Sequence, residues 1–356
     1  MKITSIVGAR PQFIKAAPVC KVFRERHTEI LVHTGQHYDE KMSRVFFDDL
    51  KIPRPDINLE VGSNSHAHQT ADMLIGLEKV LQQQKPDFVV VYGDTNSTLA
   101  GALAAAKLNI KLAHVEAGLR SFNRTMPEEI NRILTDKTSD ILLCPTETAV
   151  KNLAEEGITN DVYNIGDVMF DAALLFEAIA NKQSNILSEL DIEPKNYYLL
   201  TMHRPQNTDR YENLNSILQA LIESKEKIIF PVHPRTKKFI KIHNLKRTTR
   251  LAPNLLLIQP VSYLDMVMLE KNANKIITDS GGIQKEAYFF KVPCITLRNE
   301  TEWVETVEDG WNCLVGAQRE KILNAIKNFE PQNEQQQHYG NGDASYKLLE
   351  VLESCL

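Results

Sequence analysis

Residues 275–286 read KIITDSGGIQKE, an order that predicts a buried strand, a glycine turn and the start of a helix. The apolar beginning indicates the strand, and residues 287–290 (AYFF) indicate the core face of the helix. Ser280, Gly281 and Gly282 lie between them, where unpaired backbone N–H groups and the positive end of the helix dipole come together. Because the glycines have no side chain, an anion can approach the backbone closely. The segment therefore predicts a diphosphate-binding site.

Glu286 lies about one turn into the predicted helix and can face the same site. Its carboxylate has the wrong charge for phosphate, but it can accept hydrogen bonds from the hydroxyl groups of a ribose. The predicted ligand is therefore a nucleoside diphosphate. The alternative is an ordinary strand–helix turn in which the glycines only relieve steric crowding.

Short apolar runs alternate with longer helical patterns, which predicts parallel sheets built from strand–helix–strand units. The predicted strands form two sets, at residues 3–7, 30–33, 88–92, 112–115 and 141–144, and at residues 197–201, 227–231, 255–258, 275–278 and 294–297. A chain of 356 residues is long for one core and suits two domains. We predict an α/β fold of two Rossmann-like, doubly wound domains that meet near residue 166, with the active site in the cleft between them.

The last part of the chain predicts a loop and then a helix. Residues 330–341 are mostly polar, which is typical of a loop. Asp343, Ala344 and Ser345 can cap a final helix at residues 346–356, because short polar side chains accept hydrogen bonds from N–H groups of the first turn.

Composition argues against several classes of partner. A net charge of −5 with 46 acidic residues gives no sign of a nucleic-acid-binding surface. No apolar run approaches the roughly 20 residues that a membrane span needs, and residues 1–8 indicate a first strand rather than a signal peptide. Five cysteines without CxxC spacing favour reduced thiols in a cytoplasmic protein. His66 and His68 lack a third ligand nearby in sequence, so no metal site is predicted.

Polar motifs follow the predicted strands of the first half. Arg10 and Lys15 begin the helix after the first strand, and both suit a diphosphate or an anionic sugar. Asp94 and Glu116 follow two later strands, and Glu128 lies at a helix start. Crowded carboxylates raise one another's pKa, which suits proton transfer at neutral pH. The alternatives are solvated cations at a helix start, a capping aspartate, and, for Glu128 or its neighbour Glu129, an acid favoured by the helix dipole.

His203 and Arg204 follow the first strand of the second half. His203 would face the cleft from the side opposite the carboxylates, and Arg204 can hold phosphate. The alternative for His203 is a structural histidine whose hydrogen bonds are satisfied within the protein.

Six motifs together resemble the non-hydrolysing UDP-N-acetylglucosamine 2-epimerase family, in family order and over nearly the whole chain. They are GARPQFIK at 8–15, GDTNSTLAGALAA at 93–105, HVEAGLRS at 114–121, MPEEINR at 126–132, the pair His203-Arg204, and TDSGGIQKEA at 278–287. The resemblance implies a fold like that of GT-B glycosyltransferases, in which a C-terminal helix at 345–356 crosses back to a first domain of residues 1–166. Residues 167–344 would then form the UDP-binding domain.

The resemblance also implies the reaction and its residues. UDP leaves as a proton is removed from C2, giving a 2-acetamidoglucal, and adds back as C2 is reprotonated on the other face. This inverts C2 of a UDP-2-acetamido sugar that serves as a precursor of cell-surface polysaccharide. We expect a cytoplasmic homodimer without cofactor or metal. By resemblance, the catalytic residues are Asp94, Glu116, Glu128 and His203, and the UDP-sugar contacts are Arg10, Lys15, Ser280, Gly281, Gly282 and Glu286.

Departures from the family pattern bear on the substrate. Ala9 and Gln12 stand where the first motif usually has Thr and Glu, and Trp303 replaces a family arginine. Residues 298–305 (RNETEWVE) resemble the branch that acts on UDP-2,3-diacetamido-2,3-dideoxy-glucuronic acid. The pair Gln36-His37 resembles an allosteric substrate site, but residues 38–41 diverge. A retaining GT-B glycosyltransferase and a nucleotide-sugar sensor without activity remain as alternatives.

Overall fold

Two compact units make up the computed structural model, which describes residues 1–36, 52–245, 248–249 and 252–356. The first unit comprises Met1–Leu175 and Gln337–Leu356, and the second comprises Phe176–Gln336. The borders predicted from the sequence are residues 166 and 344. In the structure the first border falls inside a helix, α6 (Val168–Gln183), so that both units share one continuous element.

The first unit contains a parallel sheet with the strand order β3-β2-β1-β4-β5-β6-β7. Its strands are β1 (Lys2–Val7), β2 (Thr28–His33), β3 (Ile57–Asn58), β4 (Phe88–Tyr92), β5 (Lys111–Val115), β6 (Ile141–Cys144) and β7 (Val162–Asn164). The helices are α1 (Arg10–Arg26), α2 (His66–Gln84), α3 (Asn96–Lys107), α4 (Pro127–Thr138), α5 (Glu147–Glu155) and, at the end of the chain, α15 (Ala344–Ser354).

The second unit repeats this arrangement with the order β10-β9-β8-β11-β12-β13. Its strands are β8 (Tyr198–Thr201), β9 (Ile228–Pro231), β10 (Leu255–Ile258), β11 (Lys275–Thr278), β12 (Cys294–Thr296) and β13 (Asn312–Leu314). The helices after α6 are α7 (Ile186–Glu189), α8 (Pro205–Thr208), α9 (Tyr211–Ser224), α10 (Pro234–Ile242), α11 (Tyr263–Asn272), α12 (Gly281–Phe289), α13 (Val304–Glu308) and α14 (Arg319–Asn328).

Each sheet has a switch point, where the strand order reverses and a crevice opens at the carboxyl ends of the strands. The first lies between β1 and β4, and the second between β8 and β11. The central strands are apolar and buried along their whole length, as β4 shows, because helices cover both faces of such sheets. The turns after β1 and β4 therefore lie together in the first unit, and the turns after β8 and β11 lie together in the second unit.

The predicted α/β fold with two doubly wound sheets is confirmed, and all ten predicted strands occur within two residues of their predicted limits. Strands β3, β7 and β13 were not predicted; they have two or three residues each and lie at the edges of the sheets. Such short strands carry too few apolar residues to form a recognisable pattern. Within the described residues, no helix is both long and apolar enough to cross a membrane.

The C-terminal helix α15 packs against α1 in the first unit. Leu348, Leu349 and Leu352 form its buried face. The predicted cap was wrong in one respect, because the Asp343 side chain accepts no N–H bond from the first turn. Asp171 of α6 does so instead, accepting from the backbone N of Ala344 at 3.1 Å and of Ser345 at 2.7 Å.

Candidate active site

Gln12 joins the two turns that flank the first switch point. Its side-chain oxygen accepts hydrogen bonds from the backbone N of Gly8 at 2.8 Å and of Ala9 at 3.0 Å. Its amide nitrogen donates to the carbonyl of Tyr92 at 2.7 Å and to Oγ1 of Thr98 at 3.0 Å. An ionised glutamate has no proton to donate to that carbonyl. Gln12 therefore fixes the end of β1 to the end of β4.

Lys15 and Glu116 form a partly buried ion pair beside Gly93. A Cβ atom on Gly93 would lie 3.2 Å from Oε2 of Glu116 and 3.3 Å from Nζ of Lys15, and the residue has φ +64°. Glycine is therefore favoured at this position by its backbone conformation, and an added Cβ atom would also crowd this ion pair. Glu116 itself has φ +72° and is 7% exposed. Arg10 is exposed and lies about 140° from Lys15 around α1, so these two cations point in different directions.

Arg132 binds Asp94 and Glu129. Its Nη2 donates to Oδ2 of Asp94 at 2.6 Å, and its Nη1 donates to Oε2 of Glu129 at 2.8 Å. Burial acts to raise the pKa of Glu129, but hydrogen bonds from Ser121 and the charge of Arg132 outweigh it and hold that pKa below its ordinary value. Glu129 is therefore an ionised, buried anchor for the segment that precedes α4.

Glu128 occupies the second position of α4, where its side chain is exposed. The helix dipole favours a carboxylate at either position 128 or 129. The two residues differ in burial. Glu129 is 1% exposed, and its carboxylate accepts hydrogen bonds from the backbone N of Ser121 and of Phe122. The carboxylate of Glu128 is open to solvent, and its catalytic role stays a prediction.

Asp279 fixes the turns at the second switch point. This fully buried carboxylate accepts from the backbone N of His203 at 3.1 Å and of Arg204 at 3.0 Å, and from the amide of Asn207 at 3.1 Å. This role of Asp279 was not predicted from the sequence, although the residue directly follows β11 and precedes the glycine turn. The His203 side chain stays 42% exposed, with its ring 5.2 Å from that of His233. Burial, followed by the neighbouring His203, lowers the pKa of His233.

The glycine turn begins α12, as predicted, with Ser280 as its N-cap residue. The Ser280 side chain makes no capping hydrogen bond, so it leaves the N–H groups of the first turn to other acceptors. A Cβ atom on Gly281 would lie only 2.7 Å from Oε1 of Glu302. On Gly282 it would meet open space, with Oγ of Ser280 nearest at 4.0 Å. The two glycines therefore differ in their surroundings. A side chain at position 281 would collide with Glu302, whereas a Cβ atom at position 282 would have free space around it.

Glu286 lies in α12 and is 5% exposed. Burial raises its pKa to about 7, although a hydrogen bond from the hydroxyl of Tyr263 at 2.6 Å and the charge of Lys285 favour the ionised form. Glu270 lies nearby with both carboxyl oxygens buried and without a hydrogen bond among the described residues. Burial raises its pKa well above the ordinary value, and Glu286 adds to this.

The structure therefore groups the predicted residues in two sets. Lys15, Asp94 and Glu116 lie around the first switch point, and His203, Arg204 and Ser280 lie around the second. Among the described residues, no group of three or more His, Cys, Asp or Glu side chains could hold a metal ion. Gln36 accepts hydrogen bonds from the backbone N and Oγ of Ser97. His37 and residues 38–41 lie outside the described residues.

Sequence and structure comparisons agree on one family. The family model described as UDP-N-acetylglucosamine 2-epimerase matches residues 21–353. A UDP-N-acetylglucosamine 2-epimerase homolog of Methanococcus maripaludis is 59% identical over 99% of this chain and 100% of its own length. The UDP-2,3-diacetamido-2,3-dideoxy-D-glucuronate 2-epimerase of Pseudomonas aeruginosa is 48% identical over 99% of each chain.

A solved structure supports the same family. The Methanocaldococcus jannaschii UDP-GlcNAc 2-epimerase in complex with UDP-GlcNAc and UDP is 46% identical, with a TM-score of 0.89 over 99% of this chain and 100% of that chain. This similarity confirms the predicted α/β fold of the GT-B type with two domains. The resemblance that the six motifs indicated is confirmed as well.

Proposed function

The chain belongs to the UDP-N-acetylglucosamine 2-epimerase family and is an isomerase, and from this premise we propose that it inverts C2 of a UDP-2-acetamido sugar. One observation carries the proposal: Asp94 and Glu116 follow the ends of two neighbouring strands of the first unit, β4 and β5, and the glycine turn that begins α12 follows β11 of the second unit. The reaction proceeds by elimination and re-addition of UDP through a 2-acetamidoglucal. Its product serves as a precursor of cell-surface polysaccharide.

The carboxylates of the first unit supply proton transfer at C2. Inversion requires a base on one face of the sugar and an acid on the other, and we assign these roles to Asp94, Glu116 and Glu128. Positioned acid–base groups contribute roughly 10² to 10⁴ in rate. Lys15 beside Glu116 and Arg132 beside Asp94 hold these two carboxylates in place. His203 in the second unit is the fourth catalytic residue in this proposal.

The second unit binds UDP. Ser280, Gly281 and Gly282 present first-turn N–H groups and the positive end of the α12 dipole to the diphosphate. Arg204 adds positive charge beside this turn. By resemblance to the family, we also assign Arg10 and Lys15 of the first unit to the UDP-sugar, where they would contact different parts of it because they lie about 140° apart around α1. Glu286 accepts hydrogen bonds from ribose through the oxygen that Tyr263 does not occupy.

A second substrate, UDP-2,3-diacetamido-2,3-dideoxy-glucuronic acid, is supported by the segment at residues 298–305. Trp303 is 5% exposed in this segment, and Nζ of Lys285 lies 4.0 Å from the centre of its ring. Arg298 binds Glu302 of the same segment at 2.9 Å. A relative with 48% identity carries the name of the epimerase for that sugar. We therefore propose this sugar as the alternative substrate of the same site.

Turnover in D₂O tests the function. The enzyme is incubated with each UDP-sugar alone, and NMR spectroscopy follows the product. We expect deuterium at C2 of the inverted product, with free UDP and an unsaturated sugar at low levels. Inversion without deuterium contradicts the mechanism, and no inversion of either sugar contradicts the function. A glycosyltransferase requires an acceptor, and a sensor binds without turnover, so both alternatives fail to give an inverted product.

We further propose that the protein acts as a homodimer in the cytoplasm. Supporting this, Ile75 of α2 and Ile130 and Leu134 of α4 expose 54%, 43% and 44% of their surface. Both helices pack against α3, and exposed apolar side chains are typical of subunit interfaces. Sedimentation velocity gives the assembly state, and a monomer at micromolar concentration contradicts the proposal.

A further inference from the structure

Asp136 is a buried carboxylate on α4 that none of the proposed catalytic steps uses. It is 1% exposed, and three donors surround it. Its Oδ1 atom lies 2.6 Å from Nδ1 of His114. Its Oδ2 atom accepts from Nη1 of Arg120 at 2.7 Å and from the backbone N of Gly118 at 3.2 Å. Burial acts to raise the pKa of Asp136, but His114 and Arg120 outweigh it and lower that pKa, so the carboxylate is ionised.

His114 faces an acceptor on each side of its ring. Nδ1 faces the Asp136 carboxylate, and Nε2 lies 2.8 Å from the carbonyl oxygen of Gly93. A carbonyl and an ionised carboxylate only accept hydrogen bonds, so each nitrogen must carry a proton. The ring is also fully buried, which leaves no water to replace either partner. The hydrogen-bond geometry therefore defines His114 as an imidazolium.

These contacts reach both turns that carry the proposed acid–base residues. Gly93 directly precedes Asp94, and its carbonyl is held by His114. Gly118 follows Glu116 by two residues, and its N–H is held by Asp136. Gly118 has φ +79°, and a Cβ atom there would lie 2.3 Å from the carbonyl oxygen of Ala149, so this turn packs closely against α5 and only glycine fits at this position. One carboxylate thus fixes two turns from neighbouring strands.

We propose that Asp136 is a positioning residue for catalysis, which holds the turns of Asp94 and Glu116 in register through an imidazolium at His114. The proposal rests on the acid–base roles assigned above to these two carboxylates. A charged link is suited to this task, because charge-assisted hydrogen bonds are shorter and about twice as strong as neutral ones. Arg120 balances the charge of Asp136, and its Nε atom also donates a hydrogen bond to Oε1 of Glu156 at 2.6 Å.

The first test compares two variants at opposite ends of the network. Asp136→Asn keeps the shape but removes the charge, and the displacement of both turns should lower kcat by about tenfold to a hundredfold. KM and the affinity for UDP should change less than about threefold, because the proposed UDP contacts lie outside these two turns. Glu156→Gln removes a charge from the same network without touching either turn, and its kcat should equal that of the wild type. Equal kcat values for Asp136→Asn and the wild type, or equal losses in both variants, overturn the proposal.

The second test does not depend on activity. NMR spectra of the full chain with ¹⁵N-labelled histidine, at about pH 7, should contain one imidazolium with both ring N–H protons protected from exchange. This signal should disappear in His114→Gln and change in Asp136→Asn. If either variant fails to fold, the wild-type spectrum still decides, because absence of such a signal contradicts the imidazolium. An inactive wild type that shows the signal contradicts the proposed function instead.

Discussion

Glu116 has a backbone conformation that residues with side chains rarely adopt. Its φ of +72° lies in the left-handed region, where a residue other than glycine costs of the order of 1–3 kcal/mol. The surrounding structure keeps it there, since its N–H donates to the carbonyl of Leu143 at 3.0 Å and its carboxylate pairs with Lys15. Strain of this kind collects at functional sites, which supports the assignment of Glu116 to proton transfer.

Replacement of the carboxylates at constant shape tests these roles. Asp94→Asn and Glu116→Gln should each lower kcat by roughly 10² to 10⁴, because each removes a proton-transferring or charge-positioning group. Asp140→Asn is the matched control, since this carboxylate accepts from the backbone N of Leu112 at the amino end of β5. Initial rates of epimerisation measure the effect. Losses below about tenfold at both positions would assign Asp94 and Glu116 to structural roles.

Gly282 offers a sharper test of the phosphate site than Gly281. Any side chain at 281 collides with Glu302 inside the protein, so a loss of UDP binding there has two explanations. At 282 the added Cβ meets open space, and Gly282→Ala should keep or raise thermal stability by up to about 1 kcal/mol. We expect calorimetry to show UDP affinity at least about tenfold weaker. Unchanged affinity would contradict the assignment of the diphosphate to this helix start.

Individual residues were predictable where one local pattern decides their position. Asp94, Glu116 and Ser280 follow apolar runs, and the structure places each of them at the end of a strand. Gln12, Asp136 and Asp279 were not selected, because their partners are distant in sequence. Gln12 bonds to Tyr92 across 80 residues, and Asp279 bonds to His203 across 76. A single sequence contains no sign of such long-range pairs.

At the scale of elements, the start of α15 shows the same limit. The sequence contains a suitable capping residue in Asp343, yet that side chain pairs with Lys347 at 2.9 Å on the surface. The first-turn N–H groups bond to Asp171, which lies 173 residues earlier than Ala344. The existence and length of the helix were thus predictable from its apolar pattern. Its anchoring by Asp171 was not predictable from the sequence.

Two variants distinguish these capping schemes. Asp171→Ala removes the acceptor for two N–H groups and should destabilise the start of α15 by about 1 kcal/mol. Amide hydrogen exchange in residues 344–354 should then be about fivefold faster. Asp343→Ala removes only an exposed ion pair, which contributes little, and should leave exchange there nearly unchanged. The reverse order of effects would restore Asp343 as the cap.

At the scale of the whole molecule, the first unit consists of two stretches of chain that are far apart in sequence. Residues 337–356 return to it after the complete second unit. Leu348, Leu349 and Leu352 are at most 1% exposed and pack with the first unit. Full burial of a leucine contributes about 1.5–3 kcal/mol, so this helix supplies a large share of the first unit's stability.

Leu352→Ala should therefore destabilise the first unit by about 2–5 kcal/mol, through lost burial and a residual cavity. Hydrogen exchange in β1 and α1 should rise, while exchange in β8 and β11 of the second unit should stay unchanged. Leu356→Ala is the control, because that side chain is 71% exposed. An equal rise in exchange within β8 and β11 would show that the two units unfold together.

The discontinuous first unit also constrains the order of events on the ribosome. Domains generally fold as units while the chain is being made, at about 5–20 residues per second. Residues 1–175 emerge first, but the leucine face that α15 contributes is absent until residues 337–356 have been synthesised. The second unit, which is continuous, can complete its core before the first does. The nascent first unit must therefore keep the apolar surface of α1 exposed while the next 161 residues are translated, and this is the stage at which chaperones would bind it.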